Sequence, residues 1–203
     1  MTPMTPMTCI RFIPITAAAL ALLAGCHNAR ELDQASATRA LTAYLDQRGD
    51  LCLAKNSWPI VVTDAEARAG SRNAVQMPVL ERLGVVEGAS IDGGRRYALT
   101  VEGRKYYLAR PPRKTPTGNR FADAPGDLCA AHLTLDRVVG WEKAAAQEAV
   151  VTYTYHVQPA PWTQDAGARA VFPMVDTIIR GEGQLQLKQT IVLAPGGWEA
   201  KDS

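Results

Sequence analysis

The residues with the best prospect of doing chemistry are His132, Asp136 and His156, which lie in two segments that alternate in the manner of β-strands. If Leu128–Trp141 and Val150–Val157 pair as an antiparallel hairpin, facing residue numbers sum to about 290. His156 then stands opposite Thr134 and Asp136 opposite Thr154, with His132 one diagonal away. The three would share a face and come within reach of a metal such as zinc or iron. The arrangement depends on register, because a slip of one residue carries a strand's side chains to the other face. Polar histidines on the wet side of a half-exposed sheet are ordinary solvated surface, and no metal or cofactor is assigned. The chain has no Gly-x-Ser-x-Gly, no His-Glu-x-x-His, no phosphate loop and no paired-cysteine zinc spacing. Ser57, Ser71 and Ser90 have no acid or base close by in sequence. The expectation is a protein that is not an enzyme.

Aromatic residues offer a second kind of chemistry. Tyr153, Tyr155, Trp141, Trp162 and Trp198 could line a concave sheet face and hold an apolar ligand, or they could fill the core. Trp162 is set apart by the flanking prolines of Pro159-Ala160-Pro161 and by the polar residues after it. It is expected in a loop, exposed and available to a partner.

The address of the protein is written near its start. A single basic residue, Arg11, precedes an apolar run from Phe12 to Leu23, and small residues Ala24 and Gly25 lead into Cys26. The run is about a dozen residues, short of the ~20 that span a bilayer as a helix, and Pro14 and Thr16 weaken it further. Leu23-Ala24-Gly25-Cys26 resembles the bacterial lipobox. That resemblance implies that residues 1–25 are a cleaved signal peptide and that Cys26 carries a diacylglyceryl thioether, usually with a further acyl chain on its new α-amine. Two or more chains anchor a protein stably where one does not. The residue after Cys26 is His27. In enterobacterial-type lipoproteins Asp at that position retains the protein in the inner membrane, so its absence points to the outer membrane, facing the periplasm. Met1, Met4 and Met7 are all possible starts, and Cys9 falls in the discarded segment from any of them.

Loss of Cys9 and acylation of Cys26 leave Cys52 and Cys129. In an oxidising envelope compartment such a pair is expected to form a disulfide, here across a probable domain boundary. Removing residues 1–25 takes away only Arg11, leaving 21 basic against 20 acidic side chains. That balance argues against nucleic acid or anionic lipid as the main partner.

The elements follow from spacing. Residues 29–48 read as a helix with Ala37, Leu41, Tyr44 and Leu45 on one stripe and Gly49 as its stop. Trp58–Thr63 reads as a short strand, Thr63 or Asp64 as the cap of a short helix over Ala65–Ala69, and Met77–Gly84 as a helix with Pro78 in its first turn. Asp92-Gly93-Gly94 turns a hairpin. "LERLGVVE" followed by that hairpin and by "RYALTVEGRKYY" resembles a winged helix over residues 35–108. In that family the helix before the hairpin enters the major groove. Here its surface candidates, Asn73, Gln76, Glu81 and Arg82, are mixed in sign, and an exported protein never meets the chromosome.

Residues 111–126 hold four prolines and two glycines and read as a linker. Beyond it, Leu128–Trp141, Val150–Val157, Gly183–Leu193 and Trp198–Ala200 alternate as strands, with Leu185, Leu187, Ile191 and Leu193 inward. A strand or short helix is expected around Val171–Ile179. The fold class is α+β: a small winged-helix-like unit over residues 26–110, then a curved antiparallel sheet over residues 127–203. Taken together, the sequence describes a membrane-anchored, non-catalytic interaction or envelope-structure lipoprotein that meets an envelope protein. The alternative is a binding module for a small apolar or lipid-like ligand seated on the C-terminal sheet, with Tyr153 and Tyr155 as contacts.

Overall fold

The computed structural model describes residues 30–109 and 126–201. The signal segment, Cys26 and linker residues 111–125 lie outside them. The first stretch comprises helix α1 (Gln34–Arg48), strands β1 (Asp50–Cys52) and β2 (Ile60–Thr63), helices α2 (Asp64–Arg68) and α3 (Arg72–Arg82), strands β3 (Val86–Ile91) and β4 (Gly94–Leu99), helix α4 (Val101–Arg104) and strand β5 (Tyr107–Leu108). The second comprises β6 (Asp127–Ala145), β7 (Glu148–Pro159), a 3-10 turn (Pro161–Gln164), α5 (Ala166–Val171), α6 (Pro173–Arg180), β8 (Leu187–Ala194) and β9 (Gly197–Ala200).

Two antiparallel sheets result. The larger has the order β1-β6-β7-β8-β9, with β5 paired to the start of β6, and the smaller has the order β2-β4-β3. The class is therefore the expected mixture of helices with a curled antiparallel sheet. The β6–β7 hairpin begins in the expected register, Thr134 opposite His156, and then slides. Bulges at Asp136, Val139 and Ala144 each insert one residue into β6. Every bulge bends its strand and increases the local twist, which is how so long a hairpin curls. From Thr134 to Ala145 the other edge of β6 pairs with no strand among the described residues; Gln34 Nε2 donates to the Val138 carbonyl instead.

β6 is buried on both faces at its start. Ala131 and Leu133 join one core, with Ala37, Leu41 and Leu45 of α1 and with Val151, Tyr153 and Tyr155 of β7. Leu128 and Ala130 join a second core, with Met77 and Leu80 of α3, Val86, Leu99, Trp162 and Phe172. That sharing explains the unbroken apolar run Leu128–Ala131, since a strand covered on both sides need not alternate.

Three expectations change against this architecture, and one alternative left open is decided. α1 and β1 pack on and pair with the large sheet rather than with the small unit, so the Cys52–Cys129 bond joins neighbouring strands of one sheet. α3 starts at Arg72, five residues earlier than expected, because the Ser71 side chain caps it by accepting from the Ala74 N–H. Pro78 thus lies inside the helix rather than in its first turn, and its missing N–H removes a bond to the fourth residue back. The segment around Val171–Ile179 is helical, split between α5 and α6 by Phe172-Pro173. Leu185 is exposed, because it sits in the turn before β8 rather than on the strand.

Local chemistry accounts for the remaining boundaries. Asp33 caps α1 and shares a reciprocal bond pair with Ser36, and Thr63 does the same for α2 with Glu66. Gly93 has φ +74°, as the two-residue turn Asp92-Gly93 between β3 and β4 requires.

Candidate functional site

The two histidines of the polar sheet face do not converge. Asp50 stands opposite His132 in the β1–β6 ladder, and its Oδ1 lies 2.7 Å from His132 Nδ1. His156 lies between two other carboxylates, with Nε2 3.4 Å from Asp136 Oδ1 and Nδ1 3.3 Å from Glu182 Oε1. Each carboxylate has a second tie. Asp136 Oδ2 accepts from the Thr154 hydroxyl at 2.6 Å, and Glu182 Oε1 accepts from the Val157 N–H at 3.1 Å. The acids thus address opposite nitrogens of one ring and leave no common point for an ion. Among the described residues no three His, Cys, Asp or Glu side chains form a set able to hold a metal.

Nucleophilic catalysis fares no better. Thr154, Asp136 and His156 do form a chain of hydroxyl, carboxylate and imidazole, but the carboxylate stands in the middle. An activated hydroxyl needs the imidazole beside it as base, with the acid behind. Thr154 is also 1% exposed, out of a substrate's reach. The arrangement is a tie between β6, β7 and the turn that carries Glu182.

Tyr153 and Tyr155 are core residues. They are 4% and 0% exposed, in the cluster that α1 closes. Tyr155 donates its hydroxyl to the Ile178 carbonyl at 2.9 Å, fixing the end of α6 on β7. Burial pushes the Tyr153 hydroxyl up to about 12, with Tyr44 and Tyr155 adding to the effect. The concave face proposed for an apolar ligand is therefore occupied by the protein's own helix.

Trp162, expected to be exposed, is 6% exposed. Its ring meets Phe172 edge to face, with centroids 5.7 Å apart. Pro161 starts a 3-10 turn that folds α5 and α6 back over the indole. The prolines mark a tight reversal here, where the sequence reading took them for a loose loop. The indole Nε1 is buried with no hydrogen-bond partner among the described residues.

The four polar candidates on the helix before the β3–β4 hairpin all have partners within the chain, although Arg82 stays exposed. Gln76 Nε2 donates to the Val171 carbonyl, Asn73 Oδ1 accepts from Lys55 Nζ, Glu81 pairs with Arg95, and Arg82 makes two bonds to Asp165. All four of the expected surface candidates are engaged inside the chain. Arg82 and the Ala168 N–H hold the Asp165 carboxyl down at about 2.

Sequence reading missed Lys55, Asp50, Asp127 and Glu182. Lys55 is 6% exposed, and its amine is lowered by burial and by nearby Arg72, against the opposing pull of Asp127. Fully buried Asp127 accepts the N–H groups of Ala54 and Lys55. No local spacing marks these residues, because each partner lies on a different element.

Two open clefts lie among the described residues. One, of about 400 Å³, runs between α1 and β9 and is lined by Arg39, Tyr44, Arg48, Trp198 and Glu199 among others. The second, of about 360 Å³, is lined by Arg30, Gln147, Leu193, Ala194, Pro195 and Gly197. No described helix is long and apolar enough to cross a membrane. No protein family, curated protein or solved structure matches the chain.

Proposed function

We propose that the chain is a lipid-anchored lipoprotein of the bacterial envelope whose globular part is a non-catalytic interaction or structural module. The observation that carries this reading is the Cys52–Cys129 disulfide, which ties β1 to β6. Such a bond belongs to an oxidising compartment, and that is the compartment to which Leu23-Ala24-Gly25-Cys26 addresses the protein. His27 in place of Asp after the anchor supports the outer membrane, periplasmic side.

The small unit supports the winged-helix resemblance through its element order β2-α2-α3-β3-β4, with β4 between β2 and β3. α3 packs against α5, where Gln76 and Arg82 find their partners, while Asn73 and Glu81 are engaged by Lys55 and Arg95, which supports protein rather than nucleic acid as the partner. The alternative, an apolar ligand on the sheet, needs an open concave face, and α1 lies on that face.

The test is mass spectrometry of the protein extracted from membranes. The expected result is a mature chain beginning at Cys26 with an acylglyceryl mass on that residue, and a Cys26→Ser variant that leaves the membrane fraction. An unmodified thiol, or a wild-type protein recovered in the cytosol, overturns the reading. Crosslinking on intact cells is expected to capture an envelope protein at the small unit.

A further inference from the structure

We infer that the two hairpin tips at the far end of the large sheet, Ala145–Glu148 and Ala194–Gly197, form the membrane-facing surface of the protein, and that the three-stranded unit is held away from the bilayer. This rests on the reading of Cys26 as the lipid anchor.

The argument begins with chain length. Three residues lie between Cys26 and Arg30, so four chain steps place their Cα atoms at most about 14 Å apart, whatever path the chain takes. Whichever surface carries Arg30 must therefore sit at the lipid headgroups. Arg30 lines the same cleft as Gln147, Leu193, Ala194, Pro195 and Gly197. The two tips are themselves joined, since the Leu193 N–H donates to the Gln147 carbonyl at 2.9 Å.

Composition fits the placement. Ala144, Ala145, Ala146, Gln147, Pro195 and Gly196 are exposed and uncharged, so resting them among headgroups leaves no charge to desolvate. Glu148 is answered by Lys201 at 3.3 Å. The exposed charges near the tips are of both signs, Arg30 and Lys143 with Glu31, Glu142 and Glu199, a mixture that suits a zwitterionic headgroup surface.

The remaining elements then define the other end. α1 begins beside Val138, midway along β6, with Gln34 bonded to its carbonyl, and runs away from the tips about 22 Å to deliver Gly49 to Leu133. β6 carries the tips at its end and contributes Leu128 and Ala130, near its start, to the core of the small unit. The β3–β4 turn, with Asp92 and Gly93, belongs to that distal unit.

The test uses the full-length acylated protein in vesicles of phosphatidylcholine and phosphatidylethanolamine. Some of the lipid carries a nitroxide quencher on its headgroup. Fluorophores are placed on single thiols at Ala146→Cys, Gly196→Cys and Asp92→Cys. A side chain at Gly196 meets nothing within 4 Å, so that variant stands in should the first misfold. The expected result is that labels at 146 and 196 lose most of their emission while the label at 92 keeps its own. Equal quenching at all three positions, or stronger quenching at 92, overturns the orientation. The acyl mass on Cys26 is measured on the same samples. Its absence overturns anchor and orientation together, whereas an acylated protein with unquenched tips overturns the orientation alone.

Discussion

Single side chains carry this fold where different elements meet. Tyr155 is the clearest example, with a fully buried ring and a hydroxyl satisfied by the Ile178 carbonyl. Tyr155→Phe keeps the ring and removes one of that carbonyl's two donors, the Gly181 N–H at 3.2 Å remaining, and is expected to cost about 0.5–1.5 kcal/mol in urea unfolding at neutral pH. Asp165 makes a prediction about acid. Its carboxyl is held at about 2 in the folded protein by Arg82 and the Ala168 N–H, against about 3.9 in an unfolded chain. Because the folded value is the lower one, the pair's contribution is complete above the unfolded value and disappears as pH falls through about 2. Asp165→Asn retains an oxygen to cap α5 and removes the charge. Denaturant midpoints of variant and wild type should differ at pH 7 and draw together near pH 2, and a gap that does not change with pH would refute the assignment.

Gly49 is the element-scale counterpart, for here a helix becomes a strand against the sheet. A Cβ at this position would lie 2.3 Å from the Leu133 carbonyl oxygen and 2.5 Å from that of Leu45. Gly49→Ala must therefore push α1 away from β6, and is expected to cost about 1–3 kcal/mol, read from the denaturation midpoint. Elements were the most legible level of the sequence. Gly49 as helix stop, Thr63 as cap and Asp92-Gly93 as turn are local signals, and the structure uses each of them. The opening register of the long hairpin was legible for the same reason. What spacing could not give was α1's allegiance, since its apolar stripe fits any greasy partner. The fate of the polar groups was hidden too, because His132 meets Asp50 and Lys55 meets Asn73 across elements whose packing no periodicity encodes. Trp162 misled because proline flanks a buried reversal as readily as an open loop.

At the scale of the whole molecule, the two cores share β6, and the disulfide lies where that sharing begins. Cys52 and Cys129 are 77 residues apart in sequence. A loop of that length gives a chain-entropy contribution of about 4 kcal/mol. Cys52→Ala with Cys129→Ala, or reduction of the wild type, is expected to lower unfolding stability by roughly that amount. An unchanged midpoint in reductant would mean that the closed loop restrains little. Because β6 serves both cores, the loss should appear as one transition for the whole chain, with far-UV signal and tryptophan fluorescence moving together.

The edge of β6 from Thr134 to Ala145, which pairs with no strand among the described residues, has a consequence for crowding. Under the proposed anchoring, copies of the chain share a lipid leaflet and collide sideways often, which is the approach by which exposed strands zip into aggregates. The displaced residues Asp136, Val139 and Ala144 break the even ladder that such zipping needs. The irregularities that curl the hairpin thereby also keep neighbouring copies from templating one another.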